Sequence, residues 1–144
     1  MQLLRGTESL FMDLAYGTDE ALKLQDLLHE FFLQEIDLWC RTDVDGIRFA
    51  DDWGAQHSLL ISPQMWRELF KPCYREYCKA IHAAGKFVFM HSDGFITPII
   101  PDLIEIGVDA LNCQLFCMDI EMLAQTHNGQ LTFWGEIDRQ HVLP

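Results

Sequence analysis

An apolar run that ends in two polar residues, at positions 86–94, constrains the fold of this chain most strongly. Residues 87–90 are all apolar, and glycines stand close to both ends of the stretch. A short run of this kind predicts a strand buried on both faces. His91 and Asp93 follow at a spacing of two, which puts both side chains on one face if the strand continues. This layout is typical of an α/β active site, although a core histidine and a turn or helix-capping aspartate form the alternative.

The whole sequence alternates between strand-like and helix-like segments. Strands are predicted near 45–50, 86–91, 108–112 and 131–134, with helices between them. Ser62 and Pro63 predict a helix start, and Pro72 predicts a break near residues 70–71. The apolar stripe of a long helix over residues 18–41 is interpreted as a core face. The alternation predicts an α/β fold whose parallel strands are joined by right-handed crossovers.

Polar side chains follow every predicted strand. Because the carboxyl ends of parallel strands meet at one edge of a sheet, these residues are expected to converge there. The candidate catalytic residues carry a carboxylate or an imidazole: Asp51, Asp52, His91, Asp93 and Asp138. The candidate substrate-binding residues carry amide, carboxylate or guanidinium groups: Arg48, Gln56, Asn112, Gln114, Glu136 and Arg139. For Asp51 and Asp52 a solvated turn is the alternative.

Charge and cysteine content exclude several classes of partner. The net charge of -12 argues against nucleic acid or an anionic membrane as a partner, because both need a basic surface. An anionic small-molecule substrate stays possible if arginines line the pocket. The five cysteines are odd in number, form no Cys-x-x-Cys pair and follow no signal peptide, which predicts a reduced, cytoplasmic protein. The length of 144 residues predicts a single domain.

Several motifs occur together in a familiar order. They are DDWGAQ at 51–56, FKPCY at 70–74, HSDG at 91–94, GVDALNCQ at 107–114 and FWGEIDRQ at 133–140, with LRGTE at 4–8. In sequence and spacing they resemble the uroporphyrinogen decarboxylase family, which includes zinc-dependent corrinoid methyltransferases. The resemblance implies a partial (β/α)8 TIM barrel of about four parallel strands. It implies that residues 1–144 are a single middle-to-late segment, incomplete at both ends.

The resemblance implies two enzyme functions. A decarboxylase-like enzyme, a carbon–carbon lyase acting on porphyrinogen-type carboxylates, would need no cofactor. Its carboxylates would stabilise a protonated pyrrole, and Arg48 or Arg139 would hold the substrate's carboxylates. In the methyltransferase branch a His-x-Cys-Gly motif binds zinc, and a corrinoid protein is the partner. Here His91 is kept and Asp93 stands in place of the cysteine, with Asp51 or Glu136 as a further ligand.

A third possibility is a truncated, non-catalytic fragment that serves in binding or assembly. A four-stranded piece of a barrel has two edges and one face that the helices leave open. The residues expected to be left bare are among the following five: Phe49, Phe87, Phe89, Leu111 and Phe133. The chain is therefore expected to form a homo-oligomer or to be part of a longer chain.

Overall fold

The computed structural model describes residues 1–138 and 141–143. Four strands form one sheet: β1 (Gly46–Ala50), β2 (Phe87–Ser92), β3 (Ala110–Cys113) and β4 (Thr132–Gly135). They are all parallel and lie in the order β1-β2-β3-β4, so β1 and β4 are the edges. The predicted α/β fold with four parallel strands is therefore confirmed.

Helices precede the sheet and connect its strands. Before β1 come α1 (Gln2–Arg5), α2 (Thr7–Tyr16) and α3 (Asp19–Cys40). The connections contain α4 (Pro63–Leu69), α5 (Lys71–Ala83), α6 (Ile100–Ile106) and α7 (Ile120–His127), with short 3-10 turns at Thr97–Ile99 and Leu115–Cys117. Within the described residues, no helix combines the length and the apolar composition needed to cross a membrane.

The predicted break between two helices occurs at Phe70. The helix α4 ends at Leu69 and α5 begins at Lys71, with Pro72 in its first turn. Proline has no N–H for an intrahelical hydrogen bond, so it is tolerated only where a helix begins. The Ser62 hydroxyl accepts a hydrogen bond from the Met65 N–H (3.1 Å) and caps the start of α4 as expected.

Helices pack on one face of the sheet and leave the other face open. Val88, Met90 and Leu111 are fully buried under the helices. On the other face Phe87 is 58% exposed and Trp134 is 42% exposed. The open face predicted for a four-stranded piece is thus present.

Two of the five aromatic and aliphatic candidates lie on the open face. Phe87 and Phe89 do lie on it, but Phe49, Leu111 and Phe133 alternate onto the helix-covered face. Phe49, for example, stacks on Tyr74 of α5 with ring centroids 5.7 Å apart. In strands that are apolar at consecutive positions, composition does not distinguish the two faces, and only the observed register does.

The interpretation of the α3 stripe as a core face was wrong for most of its length. Leu27, Phe31 and Leu38 are more than half exposed, and the buried residues of α3 are Ala21 and Ile36. The reason is positional, because α3 packs against α5, where His29 Nδ1 lies 3.0 Å from the Tyr77 hydroxyl, and so forms the outer layer over that helix. The described part of the chain supplies no further strand or helix to cover its outer side.

Candidate functional site

The candidate site lies at the carboxyl end of the sheet, where the register aligns one residue from each strand. Ala50 pairs with His91, His91 with Asn112, and Asn112 with Trp134. Partners in a parallel ladder point to the same face, so His91 and Asn112 project together from the open face. His91 stands at the centre of this row.

A hydrogen-bonded amide determines the tautomer of His91. The Asn112 Nδ2 donates to the backbone oxygen of Trp134 (3.0 Å). The other end of the amide, Oδ1, lies 2.7 Å from His91 Nδ1. Because Oδ1 can only accept, His91 Nδ1–H is the donor. In the neutral imidazole the lone pair is then on Nε2.

Two carboxylates face this Nε2. It lies 3.5 Å from Asp52 Oδ1 and 3.6 Å from Asp93 Oδ1. The three atoms lie within 4.8 Å of one another. Among the described residues, Asp52, His91 and Asp93 form the cluster of side chains that could bind a metal ion. Three electron-pair donors that face each other repel unless a proton or a cation lies between them. The arrangement is therefore chemically suited to hold a positive charge.

Backbone contacts join the two loops that carry the carboxylates. Gly54 N–H donates to the Asp93 oxygen (3.0 Å), and Phe95 N–H donates to the Ala55 oxygen (2.8 Å). Asp93 N–H donates to Asp52 Oδ1 (3.0 Å). The loop after β1 and the loop after β2 are therefore fixed to each other, and the positions of the two carboxylates depend on both.

Glycine is required where these loops meet. A Cβ on Gly54 would lie 2.4 Å from Phe95 N and 2.5 Å from Gly94 C. A Cβ on Gly94, which has a φ of 77°, would lie 2.3 Å from Gly54 C. All of these neighbours are backbone atoms, which cannot move away by a rotamer change. Glycine at both positions is thus a condition for the loops to pack as they do.

Asp51 is held apart from this group by α5. The Tyr74 hydroxyl donates to Asp51 Oδ2 (2.7 Å) and accepts from Trp53 Nε1 (2.9 Å). Burial raises the pKa of Asp51, the Asp52 charge raises it further, and the Tyr74 hydrogen bond opposes both. Burial and the neighbouring Asp51 hold the pKa of Tyr74 well above its ordinary value, so Tyr74 stays a hydrogen-bond donor.

A cavity of about 540 Å³ opens beside the group. Its walls include His91, Asp52 and Arg48, together with apolar surface that β1, α3 and α5 contribute. Among the described residues no carboxylate forms an ion pair with Arg48, whose side chain is exposed. The cavity therefore combines the exposed guanidinium of Arg48, apolar walls and the Asp52–His91–Asp93 group.

Of the remaining predicted site residues, Gln56 and Gln114 line a second pocket together with Asp93. Gln114 Oε1 accepts from Gly94 N–H (3.1 Å), and Gln56 Nε2 contacts Cys117 Sγ (3.7 Å). Asp138 Oδ2 accepts from His141 Nδ1 (2.8 Å).

Glu136 lies near enough to Cys113 that its charge, after burial, helps to raise the pKa of that thiol to about 12. Arg139 lies outside the described residues.

Sequence reasoning missed Tyr74 and Ser92. Tyr74 occurred as part of the motif at 70–74 and was given no role, yet its hydroxyl connects Trp53 to Asp51. The available signal was chemical, because a tyrosine on a buried stripe needs a partner for its hydroxyl. The fully buried Ser92 Oγ accepts from Trp53 N–H (3.0 Å) and so supports the same loop.

Comparison with known proteins agrees with this fold. The family model for uroporphyrinogen decarboxylase (URO-D) matches residues 1–143. No curated protein sequence is significantly similar to the chain. A solved structure, a methyltransferase from Methanosarcina mazei, is similar with a TM-score of 0.71 at 16% identity. The match covers 89% of this chain and 37% of that chain, so this chain spans a little over a third of that protein. The resemblance in sequence motifs is therefore confirmed, and the chain belongs to the uroporphyrinogen decarboxylase family.

Proposed function

We propose that this chain forms the metal-binding part of a methyltransferase-type barrel. The observation that supports this most directly is the position of His91 Nε2, which lies 3.5 Å from Asp52 Oδ1 and 3.6 Å from Asp93 Oδ1 while Nδ1 faces Asn112. Imidazole nitrogen and carboxylate oxygen are both accepted zinc ligands. Asp93 stands where the methyltransferase branch has a cysteine, so the proposed site is a variant with oxygen in place of sulfur.

The spacing of the three donor atoms supports this assignment. Zinc bonds of about 2.0–2.1 Å in a tetrahedron put neighbouring ligand atoms about 3.3 Å apart. The Nε2 to oxygen distances of 3.5 and 3.6 Å are close to this value. Asp52 Oδ1 also accepts the Asp93 N–H, so one ligand is oriented by the backbone of the other.

The chemistry that a bound divalent zinc ion supplies is the lowering of the pKa of a coordinated thiol, which keeps the thiolate reactive at neutral pH. The residues of this chain bind and orient. Arg48 lies on the cavity wall and pairs with an anionic group of a small substrate. The apolar walls bind the rest of that molecule and exclude water from the site. In this function the methyl-group partner is a corrinoid protein, and the setting is the reducing cytoplasm.

A decarboxylase-like lyase is the second candidate, and the absence of a thiolate from the Asp52–His91–Asp93 group favours it. In that case no metal binds. The carboxylates stabilise a protonated substrate electrostatically, and Arg48 holds one of its acidic groups. Metal content distinguishes the two enzymes.

The third candidate is a non-catalytic segment that associates with other chains. It is supported by the exposed Phe87 and Trp134 on the open sheet face. A second copy of the chain, or further strands of a longer one, would cover this face. The oligomeric state tests this candidate without reference to the metal.

The deciding experiment is a metal titration of protein purified without chelator, with elemental analysis and calorimetry. We expect one zinc per chain in the parent, loss of binding in His91→Ala and tighter binding in Asp93→Cys, because thiolate is the stronger zinc ligand. His82→Ala is the matched control, because His82 also faces a carboxylate, Asp109, at 2.8 Å, and no other carboxylate of the described part of the chain forms an ion pair with it. No zinc in either the parent or Asp93→Cys would refute the metal site and leave the decarboxylase-like candidate.

A further inference from the structure

We propose that Asn112 is a positioning residue for His91, and that it does not contact the substrate as its place in the motif first suggested. Its role is to determine which imidazole nitrogen faces Asp52 and Asp93. The inference rests on the proposed function only in treating Nε2 as a zinc ligand. The tautomer of His91 is a property of the protein with or without a metal.

The donors and acceptors around Asn112 allow one arrangement. The backbone oxygen of Trp134 can only accept, so the Asn112 NH₂ group must face it. The amide oxygen is then left for His91 Nδ1, which must carry a hydrogen to bond to it at 2.7 Å. Rotating the amide by 180° would place its oxygen against the backbone oxygen of Trp134, two acceptors that cannot bond, and would lose that hydrogen bond. Asn112 is buried, with 8% of its surface exposed, so water does not replace a lost hydrogen bond.

The same contacts leave little of Asn112 for a ligand. Its NH₂ group is bonded to β4 and its oxygen to His91, and both bonds run across the sheet. The second amide hydrogen and the second lone pair of Oδ1 are buried with the residue, which is only 8% exposed, so neither is presented to a substrate. Asn112 therefore acts on the site through His91, and the backbone of β4 is the fixed point from which the imidazole is oriented.

Both functions of the amide can be separated by substitution. Asn112→Asp keeps the oxygen that accepts from His91 but removes the donor to Trp134. Asn112→Leu has nearly the same shape and removes both. The added charge of the aspartate is matched by Gln114→Glu, which places a negative charge two residues along the chain and keeps the oxygen that accepts from Gly94 N–H.

The test is ¹⁵N NMR of His91, at a pH at which the imidazole is neutral, on the metal-free full chain. We expect the Nδ1–H tautomer in the parent, in Asn112→Asp and in Gln114→Glu. In Asn112→Leu we expect a mixture or the Nε2–H tautomer. Zinc titration of the same proteins should show about a 10–100-fold weaker affinity for Asn112→Leu, the usual effect of losing a partner of a metal-bound histidine. Asn112→Asp should bind at least as tightly as the parent, and more tightly than Gln114→Glu.

Two results would overturn the inference: an Nε2–H tautomer in the parent, or an unchanged tautomer in Asn112→Leu. If Asn112→Leu does not fold, as judged by circular dichroism, Asn112→Asp decides alone, because loss of the Nδ1–H tautomer in that variant refutes the role. Absence of zinc binding in every protein would refute the proposed function, while the NMR result would still decide the role of Asn112.

Discussion

Replacing Gly54 with alanine should disturb the candidate site more than it disturbs the fold. The new Cβ would lie 2.4 Å from Phe95 N and 2.6 Å from the Asp93 oxygen, whereas ordinary contacts begin near 3.4 Å. The loop that carries Asp93 must therefore retreat by about 1 Å, since its backbone cannot be avoided by a rotamer change. Metal sites tolerate about 0.2 Å in their bond lengths, so a ligand displaced this far no longer reaches the ion.

The expected cost has two parts. Overpacking of this kind lowers the free energy of unfolding by about 1–3 kcal/mol. The affinity for zinc should fall at least as far as it does when a supporting contact is lost, about 10–100-fold. Thermal melts and calorimetric zinc titration of the same preparations measure the two parts separately.

Gly129→Ala is the matched control for this experiment. Gly129 has a φ of 75°, and a Cβ there would meet nothing within 4 Å. Alanine at this left-handed position costs about 1–2 kcal/mol of stability without moving the site. We expect this control to melt earlier and to bind zinc like the parent. A Gly54→Ala protein with the parent's zinc affinity would show that packing between the two loops does not position the carboxylates.

Three further predictions concern stability and association. Asp102→Asn should lower the free energy of unfolding by about 2–3 kcal/mol in urea titrations, because Asp102 bonds the buried Lys71 at 2.7 Å. Burial alone would raise the pKa of Asp102, but its bonds to Arg67 and Lys71 outweigh burial and hold it below the ordinary value. Its contribution is thus fully present above the unfolded-state pKa and is lost as the pH falls through the folded-state pKa, so the variant should show a flatter acid limb. Tyr74→Phe removes the hydroxyl from two buried hydrogen bonds and should cost about 2 kcal/mol, and an unchanged melt would contradict that role. Light scattering on residues 1–144 should show a dimer or larger species that Phe87→Glu weakens, whereas a cooperative monomer would argue against association through the open face.

The sequence predicted the elements well because their signals are local. The apolar runs were sufficient for four strands, and Pro72 was sufficient for the break at Phe70. Alternation of strands and helices then implied parallel pairing, which puts all four strand ends at one edge. His91 and Asp93 could be placed together for the same reason, since they follow one strand at a spacing of two.

Two features could not be predicted in the same way: which elements pack over a helix, and how neighbouring strands are aligned in register. Periodicity identifies the apolar face of α3 but says nothing of which element lies over it, and Phe31 is exposed. The role of Asn112 depends on the register of β3 against β2 and β4, which no local pattern contains. Gln114 likewise accepts a hydrogen bond from the backbone of a neighbouring loop, where the motif alone suggested a group free to bind substrate.

The interlocked loops after β1 and β2 also have a kinetic consequence. The amides of Gly54, Asp93 and Phe95 are all bonded across the contact, so none of them can open without the others. Their hydrogen exchange should follow a single opening equilibrium, with a common free energy and a common dependence on denaturant. The same opening separates Asp52 from Asp93, so an ion held between them would favour the closed state and slow the exchange of all three amides.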